Sequence, residues 1–105
     1  MAMQIEIVAW NRHYVPEETL LRDQLTREGY TVFLWADSPG TSYPPHRHEV
    51  DESIWVLKGE ISFGIGGREY PLTTGDRLLL PTGTEHTATI SDSEKCFYLV
   101  GQKTE

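Results

Sequence analysis

Beyond Tyr30 the sequence runs in short stretches in which apolar and polar residues alternate: 30–36, 52–58, 60–65, 68–72, 77–80, 86–90 and 95–100. A period of two is the mark of a strand with one face buried. The stretches are separated by residue clusters that turns require, among them Asp37-Ser38-Pro39-Gly40, Thr73-Thr74-Gly75-Asp76 and Pro81-Thr82-Gly83-Thr84. Gly66-Gly67 is the clearest hairpin signal, because both residues of such a two-residue turn take positive φ, which glycine does without strain. Gly59, Gly75 and Gly83 are expected at positive φ as well. Many short strands at regular spacing predict an all-β fold, a small sandwich or barrel in which closure hides the sheet edges.

Ahead of this block the pattern changes twice. Residues 4–10 set Ile5, Ile7 and Ala9 against Glu6, Val8 and Trp10, as in a short first strand. Residues 16–28 read as one amphipathic helix. Pro16 suits its first position, Glu17 and Glu18 sit where the helix dipole favours acids, Leu20, Leu21 and Leu25 make one apolar stripe, and Gly29 caps the end. No Ser, Thr, Asp or Asn directly precedes Pro16 to cap the start. The chain is therefore expected to be a single domain, residues 1–105, with a strand-and-helix extension over 1–29 and a barrel over 30–101. Its length allows one core of useful size and no second.

Charge and composition narrow the partners. Nine Lys and Arg against sixteen Asp and Glu give a net charge of −7, which repels phosphate backbones and anionic lipid, and there is no basic stripe. No nucleic acid and no membrane are expected. Cys96 is the single cysteine, so an internal disulfide and Cys-rich zinc chemistry are ruled out, and it reads as a small packed hydrophobe. The N-terminus has neither a basic region nor a long apolar run, which leads to the expectation of a cytoplasmic chain.

The candidate chemistry sits between Gly40 and Gly59. His46, His48 and Glu52 share one parity, so in an extended chain all three side chains project to the same side. Two neutral imidazoles and a carboxylate suit a transition metal, and a fourth ligand should lie elsewhere. Taken alone, the two histidines would also pass as surface residues beside Pro44 and Pro45. Arg47, of opposite parity, is expected to reach solvent or an outer carboxylate.

Two spaced patterns carry a family resemblance. Gly40, five residues, His46, one, His48, three, Glu52, six, Gly59 is followed by Gly75, five residues, Pro81, one, Gly83, two, His86. These resemble the two signature motifs of the cupin superfamily, and the fifteen residues between them resemble the spacing of its small single-domain members. Ile90 stands where the second motif usually continues to an Asn. The resemblance covers about 40–101 and leaves 1–29 unexplained. It implies a jelly-roll β-barrel holding one divalent transition metal ion (Fe, Mn, Ni, Co, Zn or Cu) on His46, His48, Glu52 and His86. Periodicity then sends Ile54 and Val56 inward behind Glu52, and Ala88 and Ile90 inward behind His86, as an apolar substrate pocket, with Tyr43 a candidate for its entrance. Trp55 and Leu57 face outward, against the helix or a second subunit; a homodimer is common in the family.

What the resemblance implies for function is a metal-dependent enzyme on a small organic substrate, dioxygenase-like, with Glu52 as ligand or, on release, as catalytic base. Two other readings stand beside it: a non-catalytic module that binds or senses a small molecule, and an isomerase or lyase. Fold alone does not choose among them.

Overall fold

The central strand of the molecule is buried on both faces, and the rest of the architecture follows from that. In the computed structural model, which describes residues 4–103, this strand is Asp51–Lys58. Glu52, Ile54 and Val56 point to one side; Ser53, Trp55 and Leu57 point to the other. One face meets a second sheet and the other meets a helix, so polar-apolar alternation is replaced by a nearly continuous buried run.

The elements in chain order are β1 (Glu6–Val8), α1 (Glu18–Arg27), β2 (Thr31–Asp37), β3 (Ser42–His46), β4 (Asp51–Lys58), β5 (Ile61–Ile65), β6 (Arg68–Leu72), β7 (Arg77–Leu80), β8 (His86–Ile90) and β9 (Cys96–Lys103). They form two antiparallel sheets, five strands in the order β1-β7-β4-β9-β2 and four in the order β3-β8-β5-β6. This is an all-β jelly roll with one short helix, as expected. Ile54, Val56, Ile61, Phe63, Leu78 and Ile90 are among the residues that fill the space between the sheets. Among the described residues no helix is long and apolar enough to cross a membrane.

Helix α1 closes a second, smaller core on the outer face of the larger sheet. Leu21 and Leu25, one turn apart, pack with Trp55 and Leu99, and Val32 and Leu57 flank them. Leu20, expected in the same stripe, is exposed, because it lies about 100° round the helix from Leu21. The helix starts later than expected: Pro16 lies outside it and Glu17 takes the cap position with no side-chain cap, in keeping with the missing capping residue. Gly29 ends it at φ 99°, with the Tyr30 N–H donating to the Leu25 carbonyl. Of the two surroundings expected for outward Trp55 and Leu57, the helix or a second subunit, the helix is the one that meets them within the chain.

A polar knot ties the helix end to the sheet. The Arg77 guanidinium donates to Glu28 Oε1 at 2.6 Å and, through Nε, to Ser53 Oγ at 2.7 Å, while lying over the Trp55 ring at 4.6 Å. The charge is thus paired and stacked where burial would otherwise penalise it.

Strand β3 is the element that the alternation pattern passes over. Its sequence, Ser-Tyr-Pro-Pro-His, lacks two backbone donors, and it is accommodated because it pairs on one side only, with β8. Neighbouring N–H groups point to opposite sides of a strand, so consecutive prolines remove a donor on each. The register shifts between Tyr43 and His46 accordingly. Strand β9 runs to Lys103, past the expected end at Val100. Gly101 there is no break: a Cβ at that position would come within 3.0 Å of Tyr30 Cβ.

Two stability predictions follow from these contacts. The Arg77 hydrogen bond holds the Glu28 carboxyl below its ordinary 4.5, so its contribution is present above that value and is lost as pH falls through the lower folded value. Glu28→Gln is expected to lower stability near neutral pH by under about 1 kcal/mol, the carboxylate being partly exposed. The difference should vanish on acidification, as urea midpoints at descending pH would record. Gly75 sits at φ 92°, and a Cβ on it would overlap the Trp10 ring. Gly75→Ala is expected to cost about 2 kcal/mol or more in urea unfolding.

Candidate metal centre

The chain reaches the site by crossing from one sheet to the other. His46 is the last residue of β3, His48 lies in the connection that follows, and Glu52 is the second residue of β4 in the opposite sheet. The expectation of one extended segment with all three on a common side is therefore corrected. The chain bends between 46 and 51, and convergence comes from the two sheets facing each other. His86, the first residue of β8, is the cross-strand partner of His46.

Three imidazoles meet there. The rings of His46 and His86 are 4.2 Å apart by centroid, those of His46 and His48 5.0 Å, and one ring nitrogen from each of the three lies within 4.8 Å of the others. Such a group is compatible with a divalent metal. His46 Nδ1 donates to the Pro44 carbonyl and His86 Nδ1 to the Thr84 carbonyl, each at 2.8 Å. Since a carbonyl only accepts, both rings carry a proton on Nδ1, which leaves Nε2 as the nitrogen available to ligate. Burial holds His86 below its ordinary value, the Thr84 hydrogen bond offsetting part of the effect, so it is neutral at neutral pH. The residues present thus fit a metal ion in donor type, tautomer and approach.

Glu52 stands just outside this trio. It is buried, its Oε1 lies 3.7 Å from His48 Nε2, and its Oε2 accepts a hydrogen bond from Gln102 Nε2 at 2.8 Å. Gln102 is the residue that the sequence reading missed. It lies directly across from Glu52 on β9, and the inward parity of Cys96, Tyr98 and Val100 carried two residues further would have found it. Arg47 turns outward, 3.6 Å from Glu85.

The imidazoles open onto a cavity of about 440 Å³ between the sheets. Tyr43, Ile54 and Ala88 line it, as do His46, His48, Glu52 and His86. Val56 and Ile90, expected in the wall, do not: both are fully packed in the core between the sheets. Parity places them on the inner face, but the cavity occupies only one end of that face. Phe33 and Trp35 of β2, Phe63 of β5 and Tyr98 of β9 complete much of the wall. Asp37 draws two of these residues together, accepting from Tyr43 OH and from Tyr98 OH, each at 2.7 Å. Burial first, and then the bond to Asp37, push both phenols up, so they stay protonated. Cys96 is buried, and burial pushes its thiol up to about 12, which leaves no thiolate for chemistry.

A two-sheet jelly roll with an imidazole cluster at one end of an apolar cavity defines a class of small β proteins in which a metal and an organic molecule can share one site. The Cupin domain family model matches residues 33–101, and the chain belongs to the cupin family. Over 63 residues it is 32% identical to the quercetin 2,3-dioxygenase of Bacillus subtilis (strain 168), a match that covers 59% of this chain and 19% of that protein. The chain thus spans about a fifth of the length of that curated relative. Among solved structures, the polyketide cyclase RemF from Streptomyces resistomycificus is 27% identical with a TM-score of 0.63, covering 71% of this chain and 55% of that one. The DMSP lyase DddQ from Ruegeria pomeroyi DSS-3 is 27% identical with a TM-score of 0.65, covering 73% and 39%.

Replacing Gln102 with Leu would leave Glu52 without its amide donor while keeping side-chain volume close. Zinc affinity, measured by competition with a chromogenic chelator, is expected to fall about 10–100-fold, the usual loss when a supporting hydrogen bond is removed.

Proposed function

We propose that this protein is a metal-dependent enzyme of oxidoreductase type, dioxygenase-like, acting on a small organic molecule bound in the cavity. The observation that carries this reading is the convergence of His46, His48 and His86, with nitrogens within 4.8 Å of one another, beside a buried carboxylate and at the end of an apolar chamber. His46, His48 and His86 would hold the ion, with Glu52 as the fourth ligand. A divalent transition metal there would supply a Lewis acid and, where redox-active, a route for electrons. The likeness to a dioxygenase over 59% of the chain supports the oxidoreductase class.

The remaining roles fall to the chain's own groups. Gln102 orients Glu52 through Oε2, which leaves Oε1 turned to His48 and free to ligate or to take a proton from a bound molecule. Ile54, Ile61, Phe63 and Val100 exclude water around the reacting end. The Pro44 and Thr84 carbonyls keep two imidazoles in the tautomer that ligates.

A second reading, lyase or isomerase chemistry at the same centre, draws on the likeness to a polyketide cyclase and to a DMSP lyase. Elemental analysis of untagged protein separates the two. About one redox-active first-row metal per chain, lost in His48→Ala and His86→Ala, together with turnover that requires dioxygen, is the expected result. Zinc with oxygen-independent turnover would favour the second reading, and a chain that carries no first-row metal and takes none up would sink both.

A further inference from the structure

Strand β2 carries two aromatic residues in an unusual position. Phe33 and Trp35 share one parity with Asp37, and both line the cavity, whereas Val32 on the opposite face packs beneath α1. They therefore belong to the inner side of the sheet. Yet Phe33 is 45% and Trp35 47% exposed, because β2 is an edge strand and the cavity is open beside it. For side chains of this size, roughly 100 Å² of surface each is left wet at the side of the cavity away from the imidazoles, where Tyr98 and Val100 also line the wall.

Their orientation is set in advance. The Trp35 indole N–H donates to Tyr43 OH at 3.3 Å, and Tyr43 OH in turn donates to Asp37 Oδ1. Asp37 Oδ2 is occupied by Tyr98 OH, so both carboxylate oxygens are already engaged within the wall. Among the described residues of the wall, none away from the imidazoles, Glu52 and Gln102 offers a charged or amide group. A molecule with a charged tail would lose water at this side and find in exchange only phenol hydroxyls whose protons are already given to Asp37. A flat hydrocarbon ring loses nothing and covers the exposed faces.

We propose that Phe33 and Trp35 form a stacking shelf, and that the molecule taken into this cavity is a planar aromatic compound of two or so rings whose oxygen substituents face the three histidines. The cavity volume of about 440 Å³ lies within the range of small-molecule sites and admits such a ring system together with an ion. The oxygen end of the proposal rests on the metal-centred reading above; the shelf stands on β2 alone.

Titrating a naphthalene diol with adjacent hydroxyls, and the decalin diol that is its saturated counterpart, against Trp emission tests the shelf. Both zinc-loaded and EDTA-stripped protein would be used, zinc avoiding any redox reaction. The flat diol is expected to quench emission saturably in both forms, more tightly with zinc, and to bind about tenfold tighter than the saturated diol. Trp35→Leu should remove the quenching and weaken the flat diol about tenfold, leave the saturated diol unchanged, and fold normally, since Trp35 is half-exposed. Trp35→Phe should restore most of the affinity, read by competition. Loss of the zinc effect with quenching retained would sink the metal reading and support the shelf. Equal affinity for the two diols, an unaltered response in Trp35→Leu, or a Trp35 already shielded by a second copy of the chain would overturn it.

Discussion

Two backbone carbonyls, those of Pro44 and Thr84, decide how the imidazoles of His46 and His86 are presented, and the site depends on them more than on any side chain. Each takes the Nδ1 proton of the histidine two residues further on. Each is a local contact, Pro44 within β3 and Thr84 in the turn that leads into β8. The pairing of β3 with β8 then sets the two fixed rings opposite one another. The arrangement of these two rings is thus set by strand register and carbonyl direction, which are properties of the fold.

The two-core arrangement explains why so small a chain can keep an open cavity. A chamber of this size forfeits packing between the sheets, where the dense core is confined to the end containing Val56, Leu78 and Ile90. The helix extension recovers apolar burial on the outer face, where Leu21, Leu25, Trp55 and Leu99 close together. Arg77 links the two regions, hydrogen-bonding the back of β4 through Ser53 and the helix end through Glu28. The part of the chain that its spaced motifs leave unexplained is therefore structural support for the strand that carries Glu52.

Much of this was legible in the residues, for reasons that can be named. The turns were, because Gly59, Gly66, Gly67, Gly75 and Gly83 all take the positive φ that glycine tolerates. So was the two-faced character of β4, because Ile54 and Val56 alternate with Trp55 and Leu57 and both sets are apolar. Strand β3 was hidden by prolines, since a rule built on central strands excludes them. Gln102 lies past the expected strand end at Val100, and Gly101 between them serves the close approach of Tyr30. Parity brought Val56 and Ile90 to the correct face and could say nothing of how far along it the cavity extends. That limit belongs to period-two reasoning in general: it assigns a side and not a depth.

The consecutive prolines of β3 have one more effect. An unpaired strand margin with a full row of amide hydrogens is an invitation to another polypeptide, which can zip onto it and seal whatever lies beside it. Pro44 and Pro45 withhold one such hydrogen on the outward side, next to the wall formed by Tyr43 and His46. A foreign strand would find an interrupted ladder at the point where the chamber meets water. The same imino acids that obscure β3 in the sequence thus break the free edge of its sheet beside the histidines.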